Sequence, residues 1–259
     1  MLKMEFGNTL NRTILKYLAL TLHQQFSSFR LKISCCLLCG NDCQTHPLLC
    51  QFCQADLPYF NYQYLPYDLL TWPAVTKLIP KNNFDHLVAI APYVWPFDTW
   101  ISQLKYQYKT ELAELLSQLL INHWHDLLVV ENVDLTPTNT LVISVPLHIK
   151  KWQTRGFNQA HLIAQKFAKK FEYPYQASVV TREKCTENQV GKSGFERRKN
   201  LKNAFSVNLE HINDLPKNII LIDDVVTTGT TANEICKILK KKGVQHITLL
   251  SICIAIPVG

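Results

Sequence analysis

The sequence predicts an α/β protein: a mainly parallel sheet flanked by helices, with a small four-cysteine module near its N-terminus. Three observations predict it. From Leu141 onward, short apolar runs alternate with segments of helical periodicity, the pattern of a sheet covered on both faces. Four apolar residues, Ile219–Ile222, run into two acids and a Thr/Gly-rich turn that opens a helix. Two C-x-x-C pairs, Cys36/Cys39 and Cys50/Cys53, stand close together in an otherwise cysteine-poor chain.

The 259 residues have room for one small and one ordinary domain. The expected divisions are a leader helix at 1–33, the cysteine module at 34–60, an irregular linker at 61–85 and the α/β domain at 86–259. With 47% hydrophobic and 18% charged residues, a packed core is expected. In the leader, Leu10–Phe29 reads as helix. Its apolar stretch Ile14–Leu22 is interrupted by Lys16, falls short of the roughly 20 residues that span a bilayer, and leads to no small-residue cleavage site. No membrane insertion is therefore expected. Leu57–Lys81 is rich in Pro, Tyr and Asn and has little periodicity. His86–Trp95 reads as strand. Asp98–Tyr108 and Glu111–His123 read as helices, the second with Leu112, Leu115, Leu116, Leu119 and Leu120 on one face. Leu141–Val145 is a short strand. Phe157–Lys170 is a helix with Ala160, Ile163, Ala164 and Phe167 at helical spacing. Ala177–Val180 and Ala204–Val207 are strands, and Ser193 with Glu196 makes a capping box that opens a short helix between them. The strand Ile219–Ile222, the helix Thr230–Lys242 ended by Gly243, and the strand Ile247–Ala255 close the domain.

The net charge of +7 is concentrated. Between Pro146 and Asn203 there are 13 Lys/Arg against 4 Asp/Glu, so the rest of the chain is slightly acidic. Such a stretch is either a solvated basic surface or the footprint of an anionic partner, phosphate or nucleic acid. Trp152 and Phe157 are interleaved with it and could stack on bases, although core packing is the better expectation for Phe157.

The turn after Ile219–Ile222 carries the strongest signal. Asp223 and Asp224 lie at the C-terminal end of a buried strand, where α/β sheets place ligands. Val225, Val226, Thr227, Thr228, Gly229, Thr230 and Thr231 then form a turn whose N–H groups and hydroxyls can surround an anion, helped by the positive helix end. The carboxylates are suited to accept hydrogen bonds from vicinal ribose hydroxyls. A 5′-phosphate on the loop with hydroxyls on the acids describes a ribose 5-phosphate. Walker A and dinucleotide fingerprints are both missing.

Nine cysteines could signal disulfides, but six lie between Cys35 and Cys53. That clustering reads as metal ligation in a reducing cytoplasm. Cys36, Cys39, Cys50 and Cys53 supply four thiolates, the donor set of a closed structural zinc site. Cys35 and Cys43 are spares, and His46 is a conceivable substitute ligand.

Three further strings lie between these motifs: Val145-Pro-Leu-His148, Arg155-Gly-Phe-Asn-Gln159, and Thr186-x-x-Gln189 followed by Glu196-Arg-Arg-Lys-Asn200. With Leu104-Lys-Tyr106, the paired cysteines and the Asp-Asp loop, they resemble the ComF family, the ComFC/GntX-like competence proteins. The likeness runs from about Cys36 to the C-terminus. Ser144 stands where Val or Pro is more usual, Asn188 where Pro is, and Lys192 where Leu is. The resemblance implies a type I phosphoribosyltransferase-like fold behind a zinc finger. It also implies a loop that binds phosphoribosyl pyrophosphate (PRPP) with Mg²⁺. Arg155 can pair with phosphate through its fork. Lys105, Lys151, Arg197, Arg198 and Lys199 are candidates for contact with pyrophosphate or a nucleic-acid backbone.

The implied role is cytoplasmic handling of incoming single-stranded DNA during natural transformation, with a competence helicase and recombination proteins as partners. The alternative is an active phosphoribosyltransferase, in which Asp223 and Asp224 are catalytic and hold the ribose while C1 is displaced through an oxocarbenium-like state.

Overall fold

The computed structural model describes residues 34–43, 46–62, 66–130, 135–183, 204–209 and 214–256. The expected leader helix, the capping-box helix and the strings at 186–189 and 196–200 lie outside them. The chain divides into two compact units, Met1–Leu57 and Pro58–Gly259. In the first, antiparallel bridges pair Cys35 with Asp42 and His46 with Leu49, and a short helix, α1 (Gln51–Ala55), follows.

The second unit is built on four strands: β1 (His86–Pro92), β2 (Thr140–Ser144), β5 (Asn218–Val226) and β6 (His246–Ile254). Their order is β1-β6-β5-β2 and every pairing is parallel. Two short strands, β3 (Val180–Arg182) and β4 (Phe205–Val207), form a separate antiparallel ribbon. The helices are α2 (Pro73–Leu78), α3 (Phe97–Tyr106), α4 (Glu111–Val130), α5 (Ile149–Arg155), α6 (Gln159–Lys170) and α7 (Thr230–Lys240).

Strand periodicity explains the layering. Leu141, Ile143, Ile219, Leu221, Ile247 and Leu249 share one core with Ile235 and Leu239 of α7 and with Val75 and Ile79. The alternate residues Val142, Ile220 and Ile222 are equally buried but belong to the opposite face, where α4 and α6 pack together against the sheet. The outer edge of β2 is not left bare. Val142 donates to the Pro174 carbonyl at 2.9 Å and accepts from the Gln176 N–H at 3.2 Å, which blunts an edge that could otherwise pair with another chain.

Four expectations change. Residues 61–85, expected as a linker or irregular subdomain, contribute Leu69, Val75 and Ile79 to the core, where three apolar side chains cover a sheet face that would otherwise meet water. The helix expected over 157–170 is α6, which starts at Gln159; a helix not expected, α5, precedes it and ends at Gly156, whose φ of 76° is a left-handed conformation that ends a helix. The strands expected over 177–180 and 204–207 stand outside the main sheet. The strand expected over 219–222 continues to Val226, so Asp223 and Asp224 lie within it, not after it.

Candidate functional site

The extra length of β5 matters, because its ladder with β6 pins the two acids. Asp223 pairs with Ser251 in the register, and Val225 with Cys253. Asp224 is buried and its Oδ2 accepts from Lys105 Nζ of α3 at 2.8 Å. Burial pulls the Lys105 ammonium down, but the charge and hydrogen bond of Asp224, with Asp223 behind it, raise it overall. Asp223 Oδ1 accepts from the Asp224 N–H at 2.9 Å. Burial, then repulsion from Asp224, pushes the Asp223 carboxyl up to about 7, against the pull of Lys105 and that N–H. Asp223 is thus a carboxyl poised to change charge near neutrality.

Beyond β5 the chain turns through residues 227–229 into α7. Gly229 is the N-cap with φ of 63°, and no side chain caps the helix. The first N–H groups of α7 are therefore left for another acceptor, at the positive end of the helix dipole. Residues 225–232 and Asp223 enclose a polar cradle of about 40 Å³ there. The Thr228 and Thr230 hydroxyls are 2.8 Å apart at its rim.

The cradle adjoins a larger cavity of about 260 Å³, which Asp223, Val225 and Thr231 also line. This cavity brings Lys105, Lys151, Arg155, Asp223, Asp224 and Thr231 together. Val226, Thr227, Thr228, Gly229 and Thr230 line the cradle. Arg197, Arg198 and Lys199 lie outside the described residues. Lys105, a candidate for contact with an anion, lines the cavity and pairs with Asp224. Arg155 is the last residue of α5. Its Nη1 donates to Gln159 Oε1 at 2.8 Å, and its guanidinium lies 5.3 Å from the centre of the Tyr106 ring. Gln159 is buried and its Nε2 has no hydrogen-bond partner. Asn158 caps α6 through Oδ1, while its Nδ2 donates to the Val145 carbonyl at 2.9 Å, fastening the loop after β2 to the helix.

Sequence reasoning missed Gln159 and Arg182 as lining residues of this cavity. Gln159 was visible only as the last letter of a motif string, and Arg182 carries no local signal at all. Phe157 was expected in the core; it is half-buried in the α5–α6 turn and meets Tyr108 edge-on, with ring centres 6.4 Å apart.

In the first unit, the sulfurs of Cys36, Cys39, Cys50 and Cys53 all lie within 4.8 Å of one another. The Cys39 and Cys50 sulfurs are 3.7 Å apart. A zinc tetrahedron with Zn–S bonds of about 2.3 Å has sulfur–sulfur edges of about 3.8 Å, so the donor set could hold a metal such as zinc. The Leu38 and Cys53 N–H groups point at Cys36 and Cys50 sulfur at 3.5 and 3.4 Å. Burial would raise the Cys36 thiol, but hydrogen bonding around it lowers it to about 6, while the hydrogen bond with Cys39 pushes the Cys53 thiol up. Cys35 and Cys43 stand outside the cluster. Among the described residues no helix is long and apolar enough to cross a membrane.

Comparison with known proteins adds the following. No protein-family model matches the chain. Competence protein F of Haemophilus influenzae is 33% identical over 214 residues, covering 82% of this chain and 86% of its own. The DNA utilization protein YhgH of Escherichia coli K12 is 30% identical over 226 residues, covering 84% and 89%. Competence protein ComFC of Streptococcus pneumoniae is 29% identical over 111 residues, covering 42% and 46%. Among solved structures, an adenine phosphoribosyltransferase of Leishmania donovani aligns with 58% of this chain and 68% of its own, at 16% identity and a TM-score of 0.26. The fold itself stands on the strand order described above.

Proposed function

We propose, from the premise that this chain belongs to the ComF/YhgH competence-protein family, that it binds PRPP or a related ribose phosphate and acts on single-stranded DNA in DNA utilisation. One observation carries the reading. An uncapped helix N-terminus, two carboxylates and the cations Lys151 and Arg155 line two adjoining cavities that share Asp223, Val225 and Thr231. A 5′-phosphate fits the cradle of residues 225–232, and ribose hydroxyls fit the acids. A pyrophosphate would meet Lys151 and Arg155, with a Mg²⁺ carried alongside to offset its charge. The name DNA utilization protein, carried by the Escherichia coli relative, supports the DNA part of the reading.

Two measurements test this. Calorimetry with PRPP and Mg²⁺ should show saturable binding that the double variant Asp223→Asn/Asp224→Asn abolishes; equal binding by both proteins would remove the acids from the site. Single-stranded DNA affinity should fall with salt, log K against log[salt] dropping by about 0.7 per phosphate neutralised. A flat salt response would count against a backbone grip. A second reading, an active phosphoribosyltransferase, is favoured by the pairing of acids and cradle; it requires pyrophosphate release from PRPP when an acceptor base is supplied.

A further inference from the structure

Beyond the loop at 145–147 a second cavity opens, about 660 Å³ in volume. It is lined by Ile149 and Trp152 of α5, Phe157 of the α5–α6 turn, and Ala177 and Val180 at the start of the ribbon. Trp152 is 51% and Ile149 55% exposed, an apolar wall open to solvent. Phe157 is held edge-on by Tyr108, whose hydroxyl donates to the Thr154 carbonyl at 3.0 Å. Polar groups also line this cavity. The Ser144 hydroxyl and His161 Nδ1 lie 3.0 and 2.7 Å from the Tyr175 hydroxyl, and both residues line the cavity. With Nδ1 engaged, His161 Nε2 is the ring nitrogen left for a ligand.

Flat aromatic walls with a few placed polar groups, in a volume typical of small-molecule sites, suit a planar heterocycle that stacks and is read along one edge. This cavity is joined to the anionic-ligand cavity: Pro146, Leu147, Asn158 and Arg182 line both. On the anion side Arg155 and Lys151 supply charge, and Gln159 offers an unpartnered buried Nε2. Neither Asp223 nor Asp224 reaches the second cavity. A ring there belongs to a different nucleoside unit from a ribose held by the acids.

We propose that the second cavity is a nucleobase subsite. It takes the base of a single-stranded oligonucleotide whose phosphate lies in the adjoining cavity against Arg155, Lys151 and Arg182. Trp152 and Phe157 stack on the base, and Ser144 and His161 meet its edge. The proposal rests on the phosphate reading of the adjoining cavity and adds the base to it.

The test is calorimetry on the full chain with three probes: ribose 5-phosphate, deoxyadenosine 5′-monophosphate and a short oligo(dA). The proteins are wild type, Trp152→Ala and His161→Ala, with melting curves to verify folding; Trp152 is exposed enough to be replaced without opening the core. The wild type should bind the base-bearing probes more tightly than ribose 5-phosphate. Trp152→Ala should weaken the base-bearing probes by about tenfold or more, since one stack is lost, and leave ribose 5-phosphate unchanged. Oligo(dA) binding well above the mononucleotide identifies a strand; equal binding identifies a free nucleotide in the same subsite. If the base adds no affinity, or both variants keep the base-bearing probes within twofold of wild type, the subsite is overturned while the phosphate reading stands. If ribose 5-phosphate fails to bind but the base-bearing probes bind through Trp152, the ribose-phosphate reading falls and the subsite stands. If no probe binds, both fall.

Discussion

Lys105 and Asp224 lie 2.8 Å apart, both largely buried, and Asp223 sits beside them with a carboxyl raised to about 7 by burial and by its neighbour's charge. One cation serves two acids. A buried pair of this kind is costly to break, because each removal strands a charge. The raised carboxyl also ties stability to pH. In the unfolded chain Asp223 loses its proton in the ordinary carboxylate range; in the folded chain it keeps it to about pH 7. The folded state binds more protons between those limits, so Asp223 favours folding fully below them, and that contribution is lost as pH rises through about 7. Melting temperatures of wild type and Asp223→Asn, followed from pH 4 to pH 8, should therefore diverge in the variant's favour as pH rises. Parallel curves would mean that Asp223 ionises normally. The acids could be picked out in the sequence as a pair. Their cation could not, because Lys105 is separated from them by more than a hundred residues and only the packing of α3 brings it close.

At the scale of elements, the junction between β5 and α7 carries the site. Gly229 has φ of 63°, and a Cβ placed there would lie 3.1 Å from Ile79 Cδ1. Gly229→Ala should cost about 1–2 kcal/mol from the left-handed backbone, with the Ile79 contact adding to it, and should weaken PRPP binding because the cradle shifts. Chemical denaturation measures the first and calorimetry the second; an alanine variant as stable as wild type would show that the turn adapts. This junction was legible because strand, acids, Gly and helix are consecutive. Helix α5 was not. Its sequence Ile149-Lys-Lys-Trp-Gln-Thr-Arg155 has two apolar residues, Ile149 and Trp152, and both face solvent. With no buried stripe there is no period to detect. The ends of β5 were misjudged for a related reason: Asp223 and Asp224 break the apolar run, yet the ladder to β6 continues through them.

At the scale of the molecule, the two units differ in what holds them together. The sheet unit buries apolar faces on both sides. The described part of the cysteine module has few buried side chains besides Leu49, Leu57 and its own cysteines, so a metal held by the four thiolates would supply much of its stability. Elemental analysis should find about one zinc per chain. Chelation should unfold the module, read as new proteolytic cleavage within 34–57, while the melting transition of the sheet unit persists. Loss of both together would mean that the units are not separately stable.

The alternation of apolar strands with amphipathic helices, the paired C-x-x-C knuckles and the Asp-Asp-to-Thr loop determined the fold class, the four-cysteine cluster and the polar cradle at the start of α7. Each is a local pattern, and its physics acts between residues near in sequence. Only the tertiary structure decided that Lys105 neutralises Asp224, that Leu69, Val75 and Ile79 belong to the core, and that the described part of the basic segment, up to Arg182, lines two adjoining cavities. Those outcomes depend on side chains from distant elements meeting at the ends of parallel strands, and no local period encodes such a meeting.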